Sequence, residues 1–371
     1  MNISLLVILI IPYFLLITFF VCGWFKIPAV VPDLLDETPE VSIIVPVKDE
    51  EKNLNNQVQD ILKQNYPQEK IEVVFVNDHS IDSTSTVLTE ISAQYKNIKH
   101  ISLPEGITGK KMGILNGIEA SSGKLIITTD GDCRFPQNWI NSMVVYYLRF
   151  PMHLLIGPVL LKPKKGFLNN FLELEFLSLI ASGAGASGIN MPILCNGANL
   201  GADRELFFKG NEIYKSSIAS GDDIFLMLEL KKKKIPAIFI KNTDAAVETE
   251  NTSNLKEFVQ QRSRWTFKSR FYRDMHLITV ALIVLLTNIF LLTGLFYSLF
   301  HAQFFIDFLI VYALKCIVDF ILLFNVAKYF NRKYLLRYFL IHQLLYIFYI
   351  SIIGIIGHFS QNKWKNGIFV K

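Results

Sequence analysis

Long apolar stretches at both ends of the 371-residue chain most constrain how it can fold. Residues Met1–Phe25 carry no charged side chain, and Met275–Phe300, Phe304–Ala327 and Leu335–Phe359 are three further apolar stretches. A helix of about 20 apolar residues is long enough to cross a bilayer. The first stretch lacks the basic start and small-residue cleavage site of a signal peptide. We therefore predict an N-terminal transmembrane anchor over residues 1–25 and a C-terminal transmembrane region over residues 274–371.

Basic residues indicate which side of the membrane each part occupies. Lys26 directly follows the first stretch, which predicts that the next part of the chain is cytoplasmic, and the basic link Lys328–Arg337 is also predicted to be cytoplasmic. Three C-terminal spans would then place the lysine-containing tail outside. The sequence leaves open whether one of those stretches is re-entrant or interfacial. The net charge of +5 is mild, and no aromatic–basic recognition motif occurs, so no nucleic-acid partner is expected.

The middle of the chain has the alternating pattern of an α/β domain. After a linker over residues 26–40, short apolar runs alternate with helical patterns across residues 41–273, which predicts one α/β domain there. The clearest predicted strands are Ser42–Val47, Glu72–Asn77, Ile98–Leu103 and Lys124–Thr129. The helical patterns between and after them are Asn53–Gln64, Ser83–Tyr95 and Lys111–Ala120.

Acidic residues follow two of these strands. Asp78 ends one apolar run, and Asp130, Gly131 and Asp132 directly follow another. Ligands of open α/β sheets bind at the carboxyl ends of the strands, so these carboxylates are expected to face one site. Two Asp residues flanking a glycine can hold a hard divalent cation. An isolated Asp-x-Asp is more often a solvated turn, but the matching Asp78 favours a site.

Further short motifs occur in order along residues 41–270. They are Pro46-Val-Lys-Asp-Glu50, Asn77-Asp-His-Ser80 with Asp82, Gly109-Lys-Lys-Met112, Asp130-Gly-Asp132, Gly221-Asp-Asp223 and Gln261-x-x-Arg264-Trp265. In this order they resemble the motifs of family 2 glycosyltransferases. The last is similar to the signature of the family's membrane-bound branch, which includes polysaccharide synthases and ceramide glucosyltransferase-like enzymes. Asp49, Asn77 and Asp222 depart from the family's usual Asn, Asp and Glu.

The resemblance implies a GT-A fold, a Rossmann-like domain that binds a nucleotide-sugar donor. It implies that Asp78 holds the nucleoside and that Asp130 and Asp132 bind Mg²⁺ or Mn²⁺ at the diphosphate, where negative charge develops on the leaving group. The full set of implied donor-binding residues is Pro46, Glu50, Asp78, Lys110, Asp130 and Arg264. For Lys111, a solvated helix N-terminus is as good an interpretation as a phosphate contact.

The resemblance also implies the groups that act on the acceptor. Asp223 matches the family's general base, which takes the proton of the attacking hydroxyl in one inverting displacement, and Asp222 supports it. Both could also cap a helix over Ile224–Lys234, and this role is compatible with the base role because capping would fix the carboxylate in place. The implied acceptor-binding residues are Asn196, Gln261 and Trp265, with Asn199 as a weaker candidate. Alternatively, Trp265 forms a membrane-interface belt with Arg262, Lys268 and Arg270. Cys195 is expected to be a packed residue.

The expected enzyme is an inverting glycosyltransferase that uses a nucleotide sugar, with a UDP-sugar as first choice, and a membrane-associated acceptor, with a lipid favoured. The alternatives are a processive polysaccharide synthase, for which a second copy or a partner subunit could supply more spans, and a non-catalytic membrane scaffold of the same fold. Asp307, Lys315 and Asp319 lie in an apolar stretch and mark a polar path or a packed interface, and Lys315 and Asp319 could pair along one helix. Phe167–Ile180 is expected to be either a core helix or a helix on the bilayer surface.

Overall fold

The structure, a computed structural model, describes residues 3–30, 37–210, 221–252, 254–359, 363–364 and 367–368. The central part of the predicted linker (residues 31–36) and the tail residues Lys365 and Lys371 lie outside the described residues. The helices are α1 (Ile3–Lys26), α2 (Leu54–Leu62), α3 (Thr84–Gln94), α4 (Lys110–Ala120), α5 (Trp139–Arg149), α6 (Phe167–Gly188), α7 (Arg204–Lys209), α8 (Asp222–Lys232), α9 (Leu255–Lys268), α10 (Met275–Phe300), α11 (Phe305–Tyr329) and α12 (Phe339–Phe359).

The strands are β1 (Val41–Val47), β2 (Ile71–Asn77), β3 (Ile98–Ser102), β4 (Leu125–Thr128), β5 (Leu154–Ile156), β6 (Val159–Leu161), β7 (Leu200–Asp203), β8 (Ala237–Phe239), β9 (Val247–Thr249), β10 (Lys363–Trp364) and β11 (Gly367–Ile368). The four predicted strands and the first three predicted helices agree with these bounds to within two residues at either end. The chain divides into two compact units.

The α/β unit comprises Ile27–Lys162 and Leu194–Glu250. Its seven-stranded sheet has the order β3-β2-β1-β4-β7-β5-β8. The first four strands pair in parallel, and β7 is antiparallel to both β4 and β5. β1 lies in the middle of the parallel half, and Val41, Ile43 and Ile44 in it are fully buried. Continuous apolar runs of this kind form strands that are covered on both faces, which is why they were readable from the sequence.

The helical unit comprises Met1–Lys26, Pro163–Ile193 and Asn251–Phe369. α1 packs on α6 and α11, and α12 packs on α9 and α10. α1 and α6 approach so closely that a Cβ on Gly23 would lie 1.8 Å from the Gly185 carbonyl oxygen. Small residues permit such close approach of helix backbones. These small residues lie in the C-terminal part of α6, which extends the predicted helix Phe167–Ile180 to Gly188.

Two helices within the described residues are long and apolar enough to cross a membrane, judged by length and composition: Met275–Phe300 and Lys333–Ile355. α1 and α11 are helical over two further predicted stretches. Lys315 and Asp319 pair along α11 at 2.9 Å, as predicted, and Tyr13 Oη donates a hydrogen bond of 2.8 Å to Asp319 Oδ1. These charges therefore lie in a packed interface, because Lys315 is fully buried.

Candidate active site

The acidic residues singled out in the sequence lie at the carboxyl edge of the parallel strands. β1 pairs with β2 so that Val47 lies opposite Asn77, and the same strand pairs with β4 on its other side. Asp78 directly follows β2, and Asp130 lies two residues beyond β4. This arrangement confirms that the two carboxylates share one edge of the sheet.

Asp78 is 4% exposed and lies beside Lys48 and the start of α4. Its Oδ2 atom lies 3.8 Å from Lys48 Nζ and accepts a hydrogen bond of 3.0 Å from the Gly109 N–H. Its Oδ1 atom is buried and has no hydrogen-bond partner in the part of the chain that the structure describes. A buried acceptor without a partner is costly. Asp78 Oδ1 is therefore a candidate contact for a ligand N–H or O–H group.

The turns after β1 and β2 are tied together by the residues that depart from the family pattern. Asp49 has a φ of 57° and accepts a hydrogen bond of 2.8 Å from the Ile81 N–H. The Asp49 N–H donates to Ser80 Oγ at 3.0 Å. Asn77 Oδ1 accepts from the Ser80 N–H at 3.0 Å. Both departures keep a short side-chain acceptor, which is what these turns require.

Pro46 and Glu50 lie near the same edge. A Cβ on Gly113 of α4 would lie 3.0 Å from Pro46 Cβ, so Pro46 packs under α4. Glu50 Oε2 accepts a hydrogen bond of 2.7 Å from Asn53 Nδ2, and a Cβ on Gly131 would lie 3.0 Å from Glu50 Cγ. Glu50 thus lies against the acidic turn after β4. For both residues, contact with a nucleotide-sugar donor stays a prediction.

Asp130 and Asp132 lie on either side of Gly131. Thr249 Oγ1 donates a hydrogen bond of 2.9 Å to Asp132 Oδ2. Burial raises the pKa of the Asp132 carboxyl, and the charge of Asp130 raises it further. Two like charges at one turn repel each other, and a bound cation would relieve this repulsion.

Lys110 at the start of α4 forms an ion pair with Asp130 Oδ1. Burial on its own would lower the pKa of Lys110, but the charges of Asp130, Asp222 and Asp223 outweigh it, so the pKa is raised and the ammonium stays protonated. Gly109, the residue before it, has a φ of 102°, a backbone conformation that glycine adopts readily. Consecutive residues of one turn therefore contact the carboxylates at the ends of β2 and β4.

Lys111 is 5% exposed. The interpretation as a solvated residue at a helix N-terminus is therefore wrong. Its place on α4 turns the side chain inward. Burial lowers the pKa of Lys111, and the charge of Asp222 opposes this effect.

Asp222 and Asp223 form the first turn of α8. The N-cap residue is Gly221, so neither acid occupies the N-cap position, but Asp223 does bind a backbone N–H of the first turn of α8. Asp223 Oδ2 accepts a hydrogen bond of 3.0 Å from the Gly197 N–H, and Oδ1 accepts one of 2.8 Å from the Ile224 N–H. Each oxygen keeps a further lone pair, so Asp223 can still accept a proton.

Gly197 marks the point where these groups converge. A Cβ at this position would lie 3.2 Å from Asp222 Oδ2, 3.3 Å from Lys110 Nζ and 3.4 Å from Asp223 Cβ. Lys110 also contacts Asp130, so one ammonium group links the acidic turn after β4 to the first turn of α8. The structure thus brings together the predicted metal-binding turn and the predicted general base.

The segment before β7 has mainly structural contacts. Asn196 Oδ1 accepts a hydrogen bond of 3.0 Å from the Ala198 N–H and caps the short turn Gly197–Asn199. Asn199 is fully buried, and its side chain bonds Trp139 Nε1 at 3.0 Å and two backbone carbonyls. The interpretation of Asn199 as an acceptor contact is therefore wrong. Burial raises the pKa of Cys195, which keeps it a protonated, packed thiol.

Gln261, Arg264 and Trp265 lie on α9 in the helical unit and are partly exposed. Arg262, in contrast, is 4% exposed and pairs with Glu175 of α6. Its predicted place in a membrane-interface belt is therefore wrong, because a buried carboxylate holds its guanidinium inside the unit.

The sequence motifs do not single out three residues of the site: Lys48, Thr249 and Gly197. Lys48 directly follows β1, and this position at a strand end indicates that it lies near the site. Thr249 and Gly197 reach the site through strand pairing, in β9 and before β7, which no local pattern shows.

Comparison with known proteins agrees with this geometry. Residues 42–200 match the family described as "Glycosyl transferase family 2", and residues 125–353 match "Glycosyl transferase family group 2". A mannosyltransferase from Pyrobaculum calidifontis, solved in complex with GDP-Man and Mn²⁺, superimposes with a TM-score of 0.56 at 16% identity, over 94% of this chain and 99% of that one. The mixed sheet is thus of the GT-A type. The chain belongs to glycosyl transferase family group 2.

Curated relatives match over shorter segments. The glycosyltransferase AglE of Haloferax volcanii is 34% identical over 106 residues, which are 29% of this chain and 34% of that protein. A beta-monoglucosyldiacylglycerol synthase of Synechocystis sp. is 31% identical over 110 residues, which are 29% of this chain and 23% of that protein. The chain therefore matches about a third of the length of the first relative and less than a quarter of the second.

Proposed function

We propose that this protein is an inverting, metal-dependent glycosyltransferase that moves a sugar from a nucleotide-sugar donor to a lipid acceptor at a membrane. The observation that carries the proposal is the cluster around Gly197, where Lys110 lies among Asp130, Asp222 and Asp223. One site thus combines groups suited to a departing diphosphate with a carboxylate suited to an attacking hydroxyl.

We assign the nucleoside to the surroundings of Asp78. Its buried Oδ1 atom would accept an N–H of the base, and Lys48 Nζ lies 3.8 Å from its Oδ2 atom. Nucleobases that present an N–H next to carbonyl groups, such as uracil, match this single acceptor. A UDP-sugar is therefore the first donor to test.

The residues of the acidic turn fit a divalent cation. Asp130 and Asp132 offer hard carboxylate oxygens, the type of ligand that Mg²⁺ and Mn²⁺ prefer. Among the described residues no group of three or more His, Cys, Asp or Glu is placed to hold a metal ion, so we propose that Asp130 and Asp132 would hold the cation together with groups from outside the protein. The bound cation would neutralise charge on the leaving diphosphate. Lys110 adds a second positive charge from the protein.

Asp223 is assigned as the general base. Its two backbone hydrogen bonds fix the carboxylate at the start of α8, and the positive charge of Lys110 lies close by. A hydroxyl that attacks the anomeric carbon would pass its proton to a free lone pair of Asp223. One displacement of this kind inverts the anomeric configuration. Asp222 supports the same electrostatic environment.

The acceptor is assigned to Gln261, Trp265 and Asn196, and Arg264 is assigned to the diphosphate. An indole face suits the C–H surface of a sugar, and a guanidinium suits phosphate oxygens. Two helices apolar enough to span a bilayer support a membrane location, and we propose that the α/β unit is cytoplasmic. The similarity to a beta-monoglucosyldiacylglycerol synthase favours a lipid acceptor over a growing polysaccharide.

The test is a donor panel with native membranes, followed by mass spectrometry of the products. We expect one added sugar on a lipid, in the presence of Mg²⁺ or Mn²⁺. A ladder of masses would instead indicate polymerisation. Asp132→Asn should abolish transfer while the unfolding temperature stays close to that of the wild type. Asp223→Asn should still bind the donor but stop transfer, and a fully active Asp223→Asn variant would rule out the base assignment.

A further inference from the structure

The helical unit contains two triads of the same composition, each joining a buried glutamate of α6 to a buried arginine and to a tyrosine, which is partly buried in the first triad and exposed in the second. The first triad is Glu175, Arg262 and Tyr349, and the second is Glu173, Arg332 and Tyr334. In the first, Arg262 Nε donates to both oxygens of Glu175 at 3.1 Å each, and Tyr349 Oη donates to Glu175 Oε1 at 3.0 Å. In the second, Arg332 pairs with Glu173 at 3.2 Å, and Tyr334 Oη donates to the same carboxylate.

The first triad contacts the motif residues of α9. The guanidinium carbon of Arg262 lies 4.1 Å from the centroid of the Trp265 ring, and Arg262 Nη1 donates a hydrogen bond of 3.0 Å to Gln261 Oε1. The guanidinium plane is fixed by its fork-like contact with Glu175. Glu175 therefore determines, through Arg262, how the side chains of Gln261 and Trp265 are oriented.

A contribution to stability does not by itself explain why the chain has an ion pair as buried as Glu175 and Arg262. Desolvation offsets most of the Coulomb attraction, and apolar residues of similar volume often replace such a pair without loss of stability. What apolar residues cannot reproduce is the directional contact of Arg262 with an amide oxygen and an indole face.

We propose that Glu175 and Arg262 are positioning residues for acceptor binding. Arg262 covers one face of the Trp265 indole and holds the Gln261 amide, so that the acceptor sugar or headgroup stacks on the opposite indole face. Glu175 keeps Arg262 in this orientation. This assignment rests on the proposed function, which places Gln261 and Trp265 on the acceptor side.

The two triads provide matched variants for the test. The variant of the first triad carries Glu175→Leu, Arg262→Met and Tyr349→Phe, and the control carries Glu173→Leu, Arg332→Met and Tyr334→Phe. Each variant removes both charges of its triad together with the tyrosine hydroxyl. In full-length protein in detergent we expect similar unfolding temperatures for both. The first variant should raise the KM for the lipid acceptor on the order of tenfold and leave the KM for the donor unchanged, because one cation–π contact and one charged hydrogen bond are lost. The control should keep both KM values.

Amide hydrogen exchange of α9 gives a second readout that needs no turnover. Positioning predicts faster exchange over Leu255–Lys268 in the first variant than in the control. An unchanged acceptor KM in the first variant, or equal exchange and equal losses in both variants, would overturn the proposal and leave the triads a structural role only. Failure of the proposed function has a different signature: the wild-type chain would transfer no sugar, while the exchange difference between the variants would persist.

Discussion

Thr249 Oγ1 donates a hydrogen bond of 2.9 Å to Asp132 Oδ2 and so joins the end of β9 to the acidic turn after β4. The backbone holds Thr249 in place, since its carbonyl accepts from the Lys162 N–H at 2.9 Å and β9 pairs with β6. The hydroxyl uses one lone pair of Asp132 Oδ2 and fixes the direction of the carboxylate. Groups that orient a metal ligand in this way often matter nearly as much as the ligand itself.

Replacing Thr249 with valine removes this donor and keeps the side-chain shape. We expect Thr249→Val to weaken Mn²⁺ binding by roughly 10- to 100-fold, the usual effect of losing a partner of a metal ligand. Calorimetric titration of Mn²⁺ into the UDP-bound protein measures this. Thr89→Val is the control, because the Thr89 hydroxyl bonds only locally to the Ser85 carbonyl on α3. If Thr249→Val bound Mn²⁺ with wild-type affinity, either Asp132 would not be a metal ligand or Thr249 would not orient it.

A side chain at Gly197 would displace members of the cluster. Its Cβ would lie 3.2 Å from Asp222 Oδ2 and 3.3 Å from Lys110 Nζ, closer than most Cβ contacts, so these groups would have to shift by a few tenths of an ångström. Gly197→Ala should therefore lower kcat/KM by about tenfold or more, since small misplacements of reacting groups are costly. Steady-state kinetics measure this, with Gly294→Ala as the control, because its Cβ would lie at an ordinary 3.6 Å from Phe308. Equal activity of both variants would contradict a tightly packed site.

Lys110 is the cation that the protein itself supplies between the acidic groups. Lys110→Met leaves the charges of Asp130, Asp222 and Asp223 without their common partner. We expect kcat/KM to fall on the order of a hundredfold, as for the loss of one preorganised stabilising group, with weaker donor binding. Lys70→Met is the control, because Lys70 forms an exposed pair with Glu40 at 3.8 Å that contributes little. Donor binding that is unchanged in Lys110→Met, as measured by titration of the nucleotide sugar, would contradict a role at the diphosphate.

The sequence predicts the parallel half of the sheet and one part of the site for the same reason. β1, β2 and β4 are nearly continuous apolar runs, and Asp78 and Asp130 follow the ends of β2 and β4. Parallel pairing then brings the strand ends together. The family order of the motifs adds Lys110 and Asp223, whose proximity the structure shows.

The contacts that were not predictable depend on distant pairing. Thr249 lies 117 residues after Asp132, and Glu175 lies 87 residues before Arg262. A charged residue beside an apolar segment is usually at the membrane surface, so the sequence pattern of Arg262 gives no sign of its burial. Only the packing of α6 against α9 provides the carboxylate that makes a buried arginine stable.

The charge pair of α11 provides a test of how the helical unit is held together. Lys315 is fully buried, pairs with Asp319 at 2.9 Å and also contacts Gln343 of α12, while Asp319 accepts from Tyr13 of α1. Lys315→Met leaves Asp319 as a buried charge without its cation, which typically costs ~3–5 kcal/mol. The double variant Lys315→Met, Asp319→Leu removes both charges and should recover most of that loss. Thermal unfolding in detergent compares the two, with Lys328→Met as a surface control on the same helix. A double variant less stable than Lys315→Met would show that Asp319 stabilises the unit through Tyr13 and not through its pair with Lys315.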